Sequence, residues 1–262
     1  MEKPAPKPIE DIDVREVIGI FFDIDDTFSS EGKITKEAYS ALWNLKNIGK
    51  IVVPITGRPA GWCDHIARMW PVNAVVGENG AFYQMMRNGR MVKKYAAPEK
   101  EIETMRSRLF VIRDEVMRKI KGSAVSSDQA FREFDLSIDY CEDVPRLSEA
   151  EVDRIVEIFE RHGATTKVSS VHVNGWFGDH TKLTTAKLFV QNELCLDIEK
   201  DNHKFVFAGD SQNDEPMFEF FEKSVGVANV MDFAKRLKFM PKYITRGKSG
   251  AGFAELAKII CG

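Results

Sequence analysis

A short apolar segment that ends in a cluster of carboxylates constrains the fold of this chain more than any other feature. Residues 17–22 are mostly apolar and predict a buried β-strand, and Asp23, Asp25 and Asp26 follow it directly. Carboxylates this close repel one another and resist removal from water. A hard cation between their oxygens relieves both costs, and Mg²⁺ is the usual one. The alternative interpretation is an acidic loop that is exposed to solvent, and only the rest of the sequence can distinguish it from a metal site.

The same arrangement returns far downstream. Residues 205–208 form another apolar run, and an acidic loop containing Asp210 and Asp214 follows it. In a doubly wound parallel sheet, ligands bind beyond the carboxyl ends of the strands, so we expect both acidic loops to line one crevice. A phosphate would supply a further oxygen to a Mg²⁺ held there. The carboxylates predicted to surround that ion are those of Asp23, Asp25, Asp210 and Asp214.

Two further segments fit the same crevice. Residues 51–55 predict a strand, and Thr56, Gly57 and Arg58 follow it. A hydroxyl and backbone N–H groups at a strand-to-helix turn suit a phosphate oxygen. Lys182 stands at the start of a predicted helix, where it could place a point charge on a phosphate. Taken alone, the first segment is an ordinary turn and the second a typical surface lysine.

Together, the four segments resemble the haloacid dehalogenase superfamily of phosphohydrolases. Residues 23–27 match its first motif, Asp-x-Asp-x-Thr, and residues 209–214 match its fourth. Thr56 matches the second motif and Lys182 the third. Lys187 is a rival for the third position, but the distance from Lys182 to the fourth motif resembles the family's spacing.

Strands and helices alternate at both ends of the chain, which predicts an α/β fold with a Rossmann-like parallel sheet. We assign this core to residues 14–81 and 178–262. Residues 82–177 break the alternation, because a hairpin at an Asn-Gly pair is followed by helix, strand, helix and strand. This inserted α+β module resembles the large cap of the superfamily's class II branch, which includes Cof-like, sucrose-phosphatase-like and mannosyl-3-phosphoglycerate-phosphatase-like proteins. Residues 1–13, with three prolines, predict a flexible tail.

The resemblance implies a role for each motif residue. Asp23 would be the nucleophile that forms a phosphoaspartate. Asp25 would protonate the leaving alkoxide and then activate water. Thr56 and Lys182 would hold the transferring phosphoryl oxygens. Further substrate contacts are predicted for Thr27, Gly57, Arg58 and Asn213, and metal contacts for Asp23, Asp25, Asp210 and Asp214.

One predicted strand of the inserted module has a polar and aromatic face. His172, Asn174 and Trp176 alternate with apolar or small residues. Near the hinge, such a face predicts a sugar-binding surface. A strand edge that faces solvent is an equally good interpretation.

Composition and charge limit the classes of molecule that we expect this protein to bind. The 262 residues carry a formal net charge of -3 with a pI near 6.0, which does not suggest a nucleic-acid-binding protein. The four cysteines are widely spaced and predict free thiols in a reducing compartment. No apolar run approaches the length of a membrane span, and the N terminus lacks the apolar core of a signal peptide. We therefore expect a cytoplasmic monomer or homodimer that acts on a small molecule, with no nucleic-acid or membrane partner.

These observations predict a Mg²⁺-dependent phosphatase that hydrolyses a phosphate monoester of a sugar or a similar small metabolite. A sugar phosphomutase is the first alternative, since one branch of the superfamily carries a related cap and the same nucleophile. A non-catalytic regulator that binds Mg²⁺ or phosphate is the second. The paired Asp23 and Asp25 argue against it, because binding alone needs no acid–base group at the second position. The sequence leaves the substrate itself open.

Overall fold

The computed structural model describes residues 4–169 and 171–262, which form one parallel sheet and two antiparallel sheets. The strands are β1 (Lys7–Pro8), β2 (Gly19–Phe22), β3 (Ile51–Pro54), β4 (Val75–Gly77), β5 (Phe82–Arg87), β6 (Arg90–Tyr95), β7 (Ala124–Val125), β8 (Leu136–Asp139), β9 (Thr165–Val168), β10 (His172–Trp176), β11 (Phe205–Gly209), β12 (Lys223–Gly226) and β13 (Tyr243–Ile244). The helices are α1 (Lys36–Asn47), α2 (Ala60–Met69), α3 (Glu99–Lys119), α4 (Glu149–Arg161), α5 (Lys182–Leu194), α6 (Glu215–Phe220) and α7 (Ser249–Cys261).

The parallel sheet has the order β1-β13-β12-β11-β2-β3. Residues of β2 alternate between its faces, so Phe22 packs with α1 and α7 while Phe21 packs with α5 and α6. Both faces are thus covered, as is typical of parallel sheets. Because β2 lies between β3 and β11, the loops that follow these three strands meet at one edge of the sheet. The predicted α/β core is confirmed.

The start of the described chain differs from the predicted flexible tail. β1 pairs in parallel with β13, and the side chain of Ile9 is fully buried. Ile12 is also buried, and both residues belong to the apolar cluster under α1 and α7. Burial of these side chains stabilises the segment against the sheet, which the prolines of the sequence did not reveal. Residues 1–3 of the predicted tail lie outside the described residues.

The predicted hairpin forms, but it belongs to a different sheet from the one expected. β5 and β6 turn at Asn88 and Gly89, whose φ angles of 52° and 74° suit this tight connection. β5 pairs with β4, and Phe82 packs against α2. The predicted boundary at residue 82 assigned the hairpin to the inserted module, whereas its hydrogen bonds join it to a strand of the core. We therefore use the word cap for α3, β7, β8, α4, β9, β10 and the loops between them.

The cap is a four-stranded antiparallel sheet of order β7-β8-β10-β9, with α3 and α4 on one face. Ile138 and Val173 point to the helices and are fully buried in the cap's apolar cluster. On the opposite face, Ser137, Asn174 and Lys167 form a row across three strands, because Asn174 is paired with both of the others. This polar face is turned towards the core.

After β12 the chain forms a 3-10 helix over Ala228–Phe233 and then a turn. The backbone N–H groups of Lys238 and Phe239 donate to the carboxylate of Glu215 rather than to helical carbonyls, so no helix continues at these residues. Among the helices within residues 4–169 and 171–262, none combines the length and the apolar character of a membrane span.

Candidate active site

Three carboxylates come together where β2 and β11 end. Asp23, Asp210 and Asp214 are all buried, and each offers an oxygen within 4.8 Å of the others. The pairing of β2 with β11 brings the two acidic loops together, and the Asp23 N–H donates to the carbonyl of Ala208 at 2.9 Å. The backbone N–H groups of Asp210 and Ser211 donate to Asp214 Oδ2 at 3.1 and 3.4 Å. The cluster consists of oxygen donors only, which suits a hard divalent cation.

Lys182 is buried against this cluster. Its Nζ lies 2.5 Å from Asp23 Oδ1 and 2.9 Å from Asp214 Oδ1. Burial lowers the pKa of Lys182, but Asp214 and Asp23 outweigh this effect and raise it above its usual value. The rival Lys187 is on the surface and pairs with Glu199, so the structure places Lys182 in the crevice and not Lys187.

The start of α5 fixes the position of Lys182. Thr181 caps the helix by accepting the N–H of Thr184 at 3.1 Å. Gly80, with φ of 107°, lies directly against this cap, where an added Cβ would come within 2.1 Å of the Thr181 carbonyl oxygen. No side chain larger than hydrogen fits there without moving the helix.

The protonation of the cluster reflects its crowding. Burial, together with Asp214 and Asp25, raises the pKa of Asp23 to about 7 against the opposing charge of Lys182. Burial, Asp214 and Asp23 raise the pKa of Asp210 to about 9. Without a cation, the cluster therefore retains protons near neutral pH. A bound cation would compete with those protons for the same oxygens.

Two side chains orient Asp210. Thr27 is fully buried, and its hydroxyl donates to Asp210 Oδ1 at 3.0 Å. The Thr27 hydroxyl thus donates to this carboxylate, and the predicted contact of Thr27 with substrate stays a prediction. Asn229 Nδ2 donates to Asp210 Oδ2 at 3.3 Å and to the carbonyl of Asp26 at 2.9 Å. The sequence interpretation missed Asn229, although it follows β12 at the same sheet edge and the carboxyl-end rule could have found it.

Asp25 lies outside the three-carboxylate cluster. Its carboxylate is half-exposed and pairs with Arg58, with Nη2 2.8 Å from Oδ1 and Nε 3.0 Å from Oδ2. The Arg58 guanidinium lies over the Trp62 ring at 4.5 Å. The chain turns sharply at Asp26, directly after Asp25, with a φ of 58°. The carboxylate of Asp25 therefore does not meet the prediction that it is a fourth metal ligand.

Thr56 and Gly57 follow β3 at the edge of the crevice. Thr56 is fully buried, and its hydroxyl oxygen accepts the N–H of Arg58 at 3.0 Å. The hydroxyl proton must therefore point to a different acceptor. Asn79 packs beside this turn, since its N–H donates to the Thr56 carbonyl and its side chain lies against Gly57.

A buried arginine of the cap holds the same turn. Arg132 Nη1 donates to the carbonyl of Gly57 at 3.1 Å. The guanidinium also pairs with Asp128 at 2.9 Å and Asp135 at 3.0 Å, and its side chain is only 2% exposed. The cap is thus bonded directly to the loop predicted to bind phosphate. No pattern in the sequence points to Arg132, because its partner in the core is 75 residues away.

Glu78 joins the cap to the core at a second point. Its carboxylate is fully buried and accepts four backbone N–H groups, from Ala60, Glu133, Phe134 and Asp135, at 2.6 to 3.1 Å. Burial and Asp135 raise the pKa of Glu78, while the N–H groups of Glu133 and Phe134 oppose the rise. This carboxylate fixes the chain that enters the cap sheet against the start of α2.

The predicted polar face of β10 is buried between cap and core. His172 Nε2 lies 2.8 Å from Glu142 Oε2. Trp176 stacks on His180, with ring centroids 5.7 Å apart, and Asn174 is 7% exposed. β10 is an inner strand between β8 and β9, so the interpretation as a solvent-facing edge is wrong. Trp176 and the predicted substrate residue Asn213 line one small cavity beside Lys182.

The family comparison agrees with this geometry. The family model of haloacid dehalogenase-like hydrolases matches residues 20–117, which include the loops after β2 and β3. The resemblance to the haloacid dehalogenase superfamily is confirmed. No curated protein sequence matches the chain.

Several solved structures share the fold of this chain over most of its length. A protein from Thermoplasma acidophilum is 16% identical, with a TM-score of 0.73 over 93% of this chain and 98% of that one. A trehalose-6-phosphate phosphatase related protein is 16% identical, with a TM-score of 0.63 over 93% and 96%. The sucrose-phosphatase of Synechocystis, solved with sucrose and phosphate, is 14% identical, with a TM-score of 0.63 over 94% and 98%. At these identities the likeness shows a shared fold.

Proposed function

We propose that the protein is a Mg²⁺-dependent phosphatase that hydrolyses a phosphate monoester of a sugar or a similar small metabolite through a phosphoaspartate. The observation that carries this proposal is the cluster of Asp23, Asp210 and Asp214, with Lys182 bonded to two of the three carboxylates. Such a site combines a nucleophilic carboxylate, a lysine ammonium that can bind an anion and a set of carboxylates that can hold a metal, at the edge of a parallel sheet.

The donor set fits Mg²⁺. Asp23, Asp210 and Asp214 would hold the ion through carboxylate oxygens, which hard cations prefer. When bound, it would offset the repulsion between the carboxylates and a phosphate dianion. Thr27 and Asn229 would keep Asp210 in the orientation that this requires.

Asp23 would attack phosphorus and form the phosphoaspartate while the ester oxygen departs. Lys182 holds Asp23 through Oδ1 and adds positive charge beside the transferring oxygens. The Thr56 hydroxyl oxygen accepts a hydrogen bond from the Arg58 backbone N–H, so its own proton is directed elsewhere, and a phosphoryl oxygen is a suitable acceptor. Gly57 and Asn213 would complete the contacts to that group.

Asp25 would act as the acid and base. It would protonate the departing alkoxide and then take a proton from the water that hydrolyses the phosphoaspartate. Its half-exposed position outside the carboxylate cluster supports this role, since a carboxylate bound to metal holds a proton poorly. Arg58 would keep the carboxylate in place through its two nitrogen contacts.

The cap face supports a polar substrate. Asn174 and Ser137 are buried side by side and each has a side-chain oxygen without a hydrogen-bond partner among the described residues. Sugar hydroxyl groups would satisfy such atoms. Two structures of similar fold carry the names of phosphatases of trehalose 6-phosphate and sucrose phosphate, which agrees with a sugar phosphate here.

A panel of sugar phosphates tests the proposal. Release of inorganic phosphate in Mg²⁺ from at least one sugar phosphate supports it, and Asp23→Asn is the control for a contaminating enzyme. Isomerised sugar phosphate without phosphate release would favour the phosphomutase, and binding without turnover would favour the regulator. No disulfide forms among the described residues, which supports a reducing compartment such as the cytoplasm.

A further inference from the structure

A small cavity of about 50 Å³ lies between core and cap beside Lys182. The core contributes Asn79, Lys182 and Asn213 to its lining, and the cap contributes Lys167 and Trp176. Residues of both parts therefore face one space beside Lys182, whose ammonium contacts the proposed nucleophile Asp23.

Two donors of this lining are buried without a partner. Asn79 Nδ2 and Trp176 Nε1 make no hydrogen bond within residues 4–169 and 171–262. Asn79 is 7% exposed and Trp176 only 2%, so water does not compensate either group. A folded protein rarely leaves such groups unsatisfied, and at a cavity the missing partner indicates a ligand that accepts hydrogen bonds.

Lys167 adds a positive charge to the same lining. It lies on β9 opposite Asn174, and no ion pair or hydrogen bond of its ammonium occurs in the described part of the chain. Burial lowers the pKa of Lys167, nearby Lys182 lowers it further, and Asp214 and Glu215 oppose this. Lys182 is already paired with carboxylates, whereas Lys167 has no anion of its own.

We propose that Lys167 is a catalytic residue supplied by the cap, which binds oxygens of the transferring phosphoryl group together with Trp176 and Asn79. An ammonium, an indole N–H and an amide NH₂ only donate, so their common ligand is rich in acceptors. Two neighbouring ammonium groups favour an anion over a neutral sugar hydroxyl. This inference rests on the proposed function and adds that the phosphoryl site is complete only when the cap is seated.

Binding of inorganic phosphate in the presence of Mg²⁺ tests the inference without turnover. Lys167→Met should weaken phosphate affinity, measured by calorimetry, by about ten- to hundredfold, as expected for a lost charged hydrogen bond. It should also lower kcat/KM for aryl phosphates and sugar phosphates by similar factors. Lys94→Met is the matched control, because Lys94 is an exposed lysine on a strand, β6, away from the cavity. It should leave phosphate affinity unchanged.

A second variant removes a single donor. Trp176→Phe keeps an aromatic ring against His180 and removes the indole N–H together with the larger ring system, so it should weaken phosphate binding in the same direction but less. It keeps the inference falsifiable if Lys167→Met fails to fold. Both variants are compared with the parent by thermal unfolding.

Phosphate affinity that is unchanged in folded Lys167→Met and Trp176→Phe would overturn the inference. So would a loss confined to substrates that carry a second anionic group, which would place Lys167 on the leaving group. A parent protein that binds phosphate through Lys167 but hydrolyses no phosphate ester would refute the proposed function and the catalytic role of Lys167, while Lys167 would remain a phosphate-binding residue.

Discussion

Lys182 Nζ lies 2.5 Å from Asp23 Oδ1, and this contact joins the start of α5 to the end of β2 across 159 residues. Both side chains are about nine-tenths buried. The ammonium orients the carboxylate proposed to attack phosphorus and offsets part of the charge of the cluster. The predicted first and third motifs are thus in direct contact through these two side chains.

The first prediction separates this lysine from its rival on the same helix. Lys182→Met should lower kcat/KM about hundredfold or more, since a donor to the transferring group is lost. It should also destabilise the fold by about 3–5 kcal/mol, because a buried partner is left unpaired. Lys187→Met removes an exposed pair with Glu199 and should cost less than about 1 kcal/mol with near-parental activity. Equal effects of the two variants on kcat/KM would reject the assignment of Lys182.

The second prediction concerns the metal. Activity should disappear with a chelator and return with Mg²⁺, while Ca²⁺ should substitute poorly because it takes more ligands at longer distances. Asp210→Asn should raise the Mg²⁺ concentration for half-maximal activity far more than Asp26→Asn, since the carboxylate of Asp26 is outside the cluster. Full activity in metal-free protein, or the reverse order of the two variants, would contradict the assignment.

The third prediction is a pH dependence of stability in the metal-free protein. Asp23 and Asp210 have pKa values raised from 3.8 to about 7 and about 9. Between the unfolded pKa of each carboxyl and its folded pKa, the folded protein holds a proton that the unfolded chain has released. The stabilising contribution of both groups therefore falls as pH rises. Mg²⁺ should therefore raise Tm more at pH 8 than at pH 5.

The measurement for this prediction is Tm in a chelator from pH 5 to pH 8. Other groups titrate as well, so the slope is compared with that of Asp210→Asn. That variant removes one raised pKa and should decline less steeply than the parent. Identical slopes for the two proteins would show that the cluster does not hold these protons.

The fourth prediction distinguishes acid–base chemistry from binding at Asp25. Asp25→Asn should slow sugar-phosphate turnover more than the first step with an aryl phosphate, because an aryl oxide departs without a proton. The amide can still face Arg58, so the local geometry is preserved. Since water is no longer activated, a single-turnover burst of aryl oxide followed by slow hydrolysis is expected. Equal losses on both substrates without a burst would make Asp25 a positioning residue.

The site residues whose positions can be predicted from the sequence are those whose surroundings are local. The apolar runs before Asp23, Thr56 and Asp210 place all three at strand ends, and the parallel-sheet rule brings those ends together. Lys182 follows from its spacing and from the start of a helix. The structure places all four at one edge of the sheet.

What the sequence could not predict depends on contacts between distant segments. Arg132 reaches Gly57 across the boundary between cap and core, and Glu78 accepts N–H groups more than 50 residues away. Neither contact produces a pattern in the local sequence. The hairpin of β5 and β6 shows the same limit, because Asn-Gly predicts the turn but not the third strand with which it pairs. The position of Thr27 in a motif likewise does not reveal that its hydroxyl donates to Asp210.

The measurement that tests the central claim most directly is phosphate release by folded Asp23→Asn in saturating Mg²⁺. An amide is a poor nucleophile and a poor metal ligand, so we predict that turnover of every substrate of the parent falls to background. Thermal unfolding of the variant serves to show that it is folded. Near-parental turnover by folded Asp23→Asn would contradict the phosphoaspartate mechanism and the site built around it.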